Sequence, residues 1–204
     1  MFYALESRRF LSVSYEDSIV TVEGTKAADE IHVRISVDLA GSTSVAVVNG
    51  EETRITSAFE PTPRKVVIRS RGGNDSIVTR FFFSNAIAVI DAGEGDDRVA
   101  ISGKRSIARG GDGNDRIIAD TSDDDISGHV LLGNEGNDTL KGSAAPDILS
   151  GGTGDDLLKG NGGSDTLRGG SGRDRFFGGS GDDTIYVSKG EKYDPGKGKD
   201  EILR

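Results

Sequence analysis

Asp138, Asp147, Asp156, Asp165, Asp174 and Asp183 recur every nine residues in the C-terminal half of the chain. Each follows, by five places, a glycine of the series Gly133, Gly142, Gly151, Gly160, Gly169 and Gly178. Two places after each aspartate stands an apolar residue: Leu140, Leu149, Leu158, Leu167, Phe176 or Ile185. Carboxylates in such phase suit a hard divalent cation, which seeks about six to eight oxygens at roughly 2.3–2.6 Å. Glycine-rich turns supply further oxygens, because only residues that accept φ > 0 let several backbone carbonyls aim inward. Asn134 and Asn161, second in their loops, belong to the few residue types that tolerate this conformation.

The same arrangement recurs with looser spacing upstream: GTKAADEI over 24–31, SRGGNDSI over 70–77, AGEGDDRV over 92–99 and GGDGNDRI over 110–117. The aspartates Asp29, Asp75, Asp97, Asp115 and Asp138 stand 46, 22, 18 and 23 residues apart. β-rich runs at Ile19–Val22, Val66–Ile68, Ile87–Ile90 and Val130–Leu132 precede these loops. Strand, glycine turn, strand is the pattern of a solenoid, with coils of roughly 18 to 23 residues. The separation of 46 is expected to hold two coils, with Asn49–Gly50 as a degraded turn between them.

Two nonapeptides make one coil, so equivalent loops stack along each edge at the strand spacing of about 4.8 Å. Asp138, Asp156 and Asp174 then form one column, and Asp147, Asp165 and Asp183 the other. Unit charges about 5 Å apart repel by roughly 1 kcal/mol in water and more at lower dielectric. One apolar residue per nonapeptide is too little burial to offset the entropy of ordering nine residues. Cations between successive loops reverse the sign of the column electrostatics.

Composition agrees. The 204 residues include 30 Gly, no Cys and a net charge of −9, with 34% hydrophobic residues. The acidic balance argues against nucleic acid as partner, which needs a clustered basic face. Without cysteine there is no disulfide framework and no thiolate metal site. No run of eighteen apolar residues suggests a membrane span, and the first twenty residues lack the apolar stretch of a cleaved secretory signal. Asp120–Asp125 fails the EF-hand pattern, and no glycine run matches a phosphate loop. The sequons at Asn74 and Asn137 are explained by the repeat, whose fixed phase also argues against a disordered linker.

The nonapeptide G-G-x-G-x-D-x-U-x resembles that of the hemolysin-type, repeats-in-toxin calcium-binding family, closely over 92–186 and more weakly over 24–78. The resemblance implies an all-β fold, a right-handed parallel β-helix or β-roll, that binds several Ca²⁺ ions and folds on them. In that family one loop offers the carbonyls of its second and fourth positions and its Asp. The next loop on the same edge offers those of its first and third positions and its Asp. Carried over, one ion sits among Asn134, Gly136, Asp138, Gly151, Thr153 and Asp156, and a second among Gly152, Gly154, Asp156, Gly169, Ser171 and Asp174. On the opposite edge a third takes Asn161, Gly163, Asp165, Gly178, Ser180 and Asp183. A fourth takes Gly93, Gly95, Asp97, Gly110, Asp112 and Asp115, and a fifth Gly111, Gly113, Asp115, Gly133, Glu135 and Asp138. Three departures matter. The loop Gly142–Asp147 lacks both inner glycines, which puts a site pairing Asp147 with Asp165 in question. Ser106 stands where an Asp is expected between Asp97 and Asp115, so that edge is expected to be metal-free. Asp75, in a loop opening with Ser70, is left open.

Leu5-Glu-Ser-Arg-Arg-Phe-Leu-Ser12 resembles the Leu-Glu-Pro-Arg-x-Leu-Leu (LEPR-XLL) segment of large planctomycete surface proteins, with Ser7 in place of Pro. It implies an extracellular or cell-surface bacterial protein. Residues 1–18 are read as an N-terminal arm, 19–128 as irregular coils, 129–188 as the regular roll, and 189–204 as a cap. The last of these lacks the long signal of type I secretion, so no export route is assigned.

The leading expectation is a non-enzymatic calcium-binding module with a structural or adhesive role, acidic polysaccharide or cell-surface components being its further partners. The rival is a polysaccharide-acting enzyme or its carbohydrate-binding accessory. Its nearest catalytic candidates, Tyr15, His32 and Arg34, form no convincing set. His32 and His129 lack motif context and read as structural. Lys141, Lys159 and Arg168 read as solubilising charges or a carbohydrate face. Of Phe81–Phe83, one or two are expected to pack inside.

Overall fold

The computed structural model describes residues 12–16, 18–37, 43–49, 51–55, 63–82, 86–102, 104–119 and 127–204. The segment resembling LEPR-XLL and the run Asp120–Asp125 fall largely outside them, as do the side chains of Tyr15, Phe82 and Phe83.

Among the described residues twenty strands follow in chain order. The first half holds β1 (Ser12–Glu16), β2 (Ile19–Glu23), β3 (Glu30–Val37), β4 (Thr43–Asn49), β5 (Glu51–Ile55), β6 (Lys65–Arg69), β7 (Ser76–Phe82), β8 (Ile87–Glu94), β9 (Arg98–Ile101) and β10 (Ile107–Asp112). The second holds β11 (Arg116–Ala119), β12 (Val130–Glu135), β13 (Thr139–Lys141), β14 (Ile148–Thr153), β15 (Leu157–Gly162), β16 (Thr166–Ser171), β17 (Arg175–Ser180), β18 (Thr184–Tyr186), β19 (Lys192–Lys197) and β20 (Glu201–Leu203). From β6 onward they alternate between two ten-stranded sheets and pair in parallel with the strand one coil away. The chain is a β-solenoid, as the repeat predicts.

The expectation of two coils between Asp29 and Asp75 is corrected. Ile19 pairs with Lys65 and Glu30 with Ser76, so the 46 residues make one coil. The excess is a β4–β5 hairpin, with Asn49 opposite Glu51, laid antiparallel against β3. β1 does the same to β2. Antiparallel pairing at the first coil ends the parallel stacking on both sheets and covers edges that would otherwise template further strands. At the other end β19 and β20 extend both sheets by one further coil of 17-residue offset.

Alternation along each strand sends one set of side chains inward. In the regular coils each half-turn buries a single large residue: Leu140, Leu149, Leu158, Leu167, Phe176 and Ile185 are at most 1% exposed. Upstream coils are richer, burying Val66, Ile68, Ile77, Phe81, Ala86, Ala88, Ile90 and Ala92 within one stretch. Core content therefore falls along the solenoid, and that gradient decides where the fold depends most on its loops.

Candidate metal centres

The loop aspartates stand in two columns. In the first, the backbone N–H of each donates to Oδ1 of the aspartate one coil on: Asp29 to Asp75 at 2.6 Å, Asp75 to Asp97 at 2.7 Å, Asp97 to Asp115 at 2.9 Å. Asp115 to Asp138, Asp138 to Asp156 and Asp156 to Asp174 continue the series at 2.8, 2.8 and 2.9 Å. The second column runs from His129 through Asp147, Asp165 and Asp183 to Asp200 at 2.5 to 3.0 Å. The column aspartates from Asp29 to Asp183 are no more than 3% exposed.

From Asp75 onward in the first column, and from Asp147 in the second, one oxygen of each carboxylate is thus committed to the ladder. The other oxygen, Oδ2 of Asp97, Asp115, Asp138, Asp156, Asp165 and Asp183, is buried and makes no hydrogen bond. In the loops of Asp115, Asp138, Asp156, Asp165 and Asp183 it lies over the first glycine, where a Cβ on Gly110, Gly133, Gly151, Gly160 or Gly178 would overlap it; the loop of Asp97 opens instead with Ala92. In those five loops the carboxylate crowds the first glycine, whereas the second and fourth are required by the backbone. Gly93, Gly111, Gly152, Gly154, Gly170 and Gly172 have φ between 105° and 138°, and Asn134 and Asn161 take the same turn at 83° and 78°.

Burying carboxylates with no counter-charge pushes them toward the neutral form. Burial raises Asp97, Asp138 and Asp165 to about 7, and Asp115 and Asp156 to about 6, against the relief of the ladder hydrogen bond and with added repulsion from neighbouring acids. Asp75 and Asp183 are raised for the same leading reason. A row of buried, half-satisfied oxygens with strained protonation is what a hard cation would relieve. The donor set therefore fits calcium. Among the described residues no three His, Cys, Asp or Glu side chains gather as a ligand cluster, so most of an ion's oxygens would come from backbone carbonyls.

Strand register stacks the predicted ligand loops one on another. Gly93 pairs with Gly111, which pairs with Asn134; Asn134 pairs with Gly152, and Gly152 with Gly170. On the same edge Asp112 pairs with Glu135, Glu135 with Thr153 and Thr153 with Ser171. On the other edge Asn161 pairs with Gly179 and Gly162 with Ser180.

Three features escaped the sequence. Beyond Ser106, where the sequence already shows the acid missing, the second column stays without acids toward the N-terminus, with Ala88, Val66 and Val20 in the equivalent register positions. Ser106 Oγ accepts the N–H of Ala88 at 3.1 Å, a neutral substitute for an aspartate oxygen. The residue before each first-column aspartate forms a counter-ladder on the surface. Asn74, Asp96, Asn114, Asn137 and Asp155 each accept the N–H one coil on, at 2.6 to 3.0 Å; those hydrogen bonds, with Asn114's amide, hold Asp96 below the usual carboxylate range. Finally, the terminal coil extends both columns, with Asp200 on Asp183 and Glu191 brought against Asp174, where burial raises the Glu191 carboxyl. Recurrent Asn/Asp at the fifth loop position was the visible signal for the counter-ladder.

Residues 107–129, 132–167 and 159–191 match the profile of the RTX calcium-binding nonapeptide repeat, in four copies. These loops are RTX calcium-binding repeats. No curated protein and no solved structure matches the chain. The matched residues begin at the coil of β10, and the hydrogen-bonded aspartate column continues upstream of them through Asp97, Asp75 and Asp29. The chain is a β-solenoid that carries RTX calcium-binding repeats over the matched residues, and no helix long and apolar enough to cross a membrane is found among the described residues.

Proposed function

We infer that the chain is a non-enzymatic extracellular or cell-surface module, a structural or adhesive element stiffened by a row of Ca²⁺ ions. The carrying observation is the buried Oδ2 row of Asp97, Asp115, Asp138, Asp156, Asp165 and Asp183. The ligand loops are the five pairs set out above: 93–97 with 110–115, 111–115 with 133–138, 134–138 with 151–156, 152–156 with 169–174, and 161–165 with 178–183. Bound calcium supplies counter-charge to the columns and ties each coil to the next. Within the chain, residues 19–128 act as the better-filled base, 129–188 as the metal-dependent roll, and 189–204 as its closing coil. Carbonyl-rich sites suit the calcium-rich exterior of a cell. Calorimetric titration of the full chain tests this: several calcium ions should bind, and Asp138→Asn with Asp156→Asn should remove more than one. Absence of calcium uptake would refute it.

A second reading, attachment to acidic polysaccharide, is favoured by one surface. The Arg168 guanidinium lies 4.6 Å from the ring centre of half-exposed Tyr186. Beside them opens a cavity of about 390 Å³ that Val187, Ser188, Leu203 and Arg204 also line. An aromatic face for a sugar ring next to a guanidinium for its carboxylate is the expected chemistry. Binding of a polyuronate lost in Arg168→Ala and Tyr186→Ala, with calcium uptake intact, would support it.

A further inference from the structure

Two loops satisfy their aspartate in a different way. In Gly24-Thr-Lys-Ala-Ala-Asp29, the N–H and the hydroxyl of Thr25 both donate to Asp29 Oδ2, at 2.7 and 3.1 Å. In Gly142-Ser-Ala-Ala-Pro-Asp147, the N–H and the hydroxyl of Ser143 donate to Asp147 Oδ2 at 2.5 and 3.0 Å. The fourth-position N–H also turns inward, Ala27 to Thr25 Oγ1 and Ala145 to Ser143 Oγ, each at 3.1 Å. In glycine-type loops that N–H points outward, to the third-position carbonyl one coil on: Gly113 to Glu135, Gly136 to Thr153 and Gly154 to Ser171.

The stacking loops register the difference. Gly73 and Gly163 lie over Ala27 and Ala145, and their φ values of 96° and 91° fall below those of Gly95, Gly113, Gly136, Gly154 and Gly172, which range from 115° to 138°. The carbonyl of Gly142 is further occupied by the Asn161 side-chain amide at 2.6 Å. Loops 24–29 and 142–147 lie on opposite columns and 118 residues apart in sequence, yet share one arrangement: Gly, hydroxyl, any residue, Ala, any residue, Asp.

We propose that Thr25 and Ser143 are the residues that decide which loops take calcium: a second-position hydroxyl supplies the donors that a cation would otherwise replace, making these two loops metal-independent locks, each closed on its own aspartate. The inference rests on the calcium reading of the glycine-type loops. It places a lock in the first coil and another in the middle of the second column, where Asp147 leads into Asp165.

The test compares calcium stoichiometry of the full-length wild type with that of Ser143→Gly/Ala145→Gly, which restores the two inner glycines. One additional ion is expected in the variant. A wild type that binds calcium with no gain in the variant overturns the proposal; a wild type that binds none refutes the calcium reading instead. Hydrogen exchange guards against a misfolded variant. In wild type held in chelator, the amides of Ser143 and Ala145 should stay protected, and Ser143→Ala should lower that protection roughly tenfold, as loss of a buried hydrogen bond implies. Free exchange of both amides until calcium is added would equally overturn it.

Discussion

The N–H of Asp138 donates to Oδ1 of Asp156 at 2.8 Å, one coil away and 18 residues on, while Asp156 Oδ2 lies buried over Gly151. Backbone pairing thus uses one oxygen of the carboxylate and leaves the other for the proposed metal ligation. Neighbouring coils are coupled through that side chain, whereas neighbouring nonapeptides in sequence stand on opposite edges.

Double-mutant cycles should expose this. Asp156→Ala should couple to Asp138→Ala and Asp174→Ala by about 0.5–3 kcal/mol, as contacting residues do. Coupling to Asp147→Ala or Asp165→Ala should be under about 0.5 kcal/mol, the tolerance for separate sites. Equal coupling along the sequence would contradict the two columns.

The first glycine of a loop gives a second prediction. A methyl group at Gly151 overlaps Asp156 Oδ2 and the carbonyl of Gly169. Gly151→Ala should cost about 1–3 kcal/mol, the range for overpacking, and weaken calcium binding. Thr153→Ala, third in the same loop, has an exposed side chain and should be nearly neutral. Thermal melts with and without calcium measure both.

Proton and calcium compete for the columns. Asp97, Asp138 and Asp165, raised to about 7, and Asp115 and Asp156, raised to about 6, bind protons more tightly folded than unfolded. Without calcium their contribution is fully present below the unfolded value of about 3.8 and is lost as pH rises through about 6 to 7. In chelator the melting temperature should therefore fall between about pH 4 and pH 8. Calcium affinity should rise over the same window, because ligation needs the ionised carboxylates. A calcium-free stability that climbs toward neutral pH would contradict the burial of these groups.

Much of this was legible from the nine-residue phase. It located Leu140 to Ile185 as the inner row, separated the two aspartate columns, and marked Asn134 and Asn161 as turn residues. The hairpin after β3 was not legible, since an insertion that pairs antiparallel outside the coil has the same length signature as a missing repeat. Nor was the apolar end of the second column: Val20, Val66 and Ala88 read as ordinary strand residues until register puts them beneath Ser106. Glu191 was hidden by a coil one residue short, and Asp200, with Pro195 in the place of the first glycine, was legible as part of the closing cap but not as a member of the column. Ser143 read as a lost glycine, although the alanine two places on, shared with the loop of Thr25, was a visible clue.

The central claim is that calcium replaces the interior the regular coils lack. Hydrogen exchange of the full chain at neutral pH, with calcium and then with chelator, tests it most directly. Stripping the metal should release the amides of β15 to β18, where each half-turn buries one large residue, while β6 to β11 and the Ser143 loop keep much of their protection. Full protection of β15 to β18 in chelator would contradict the account.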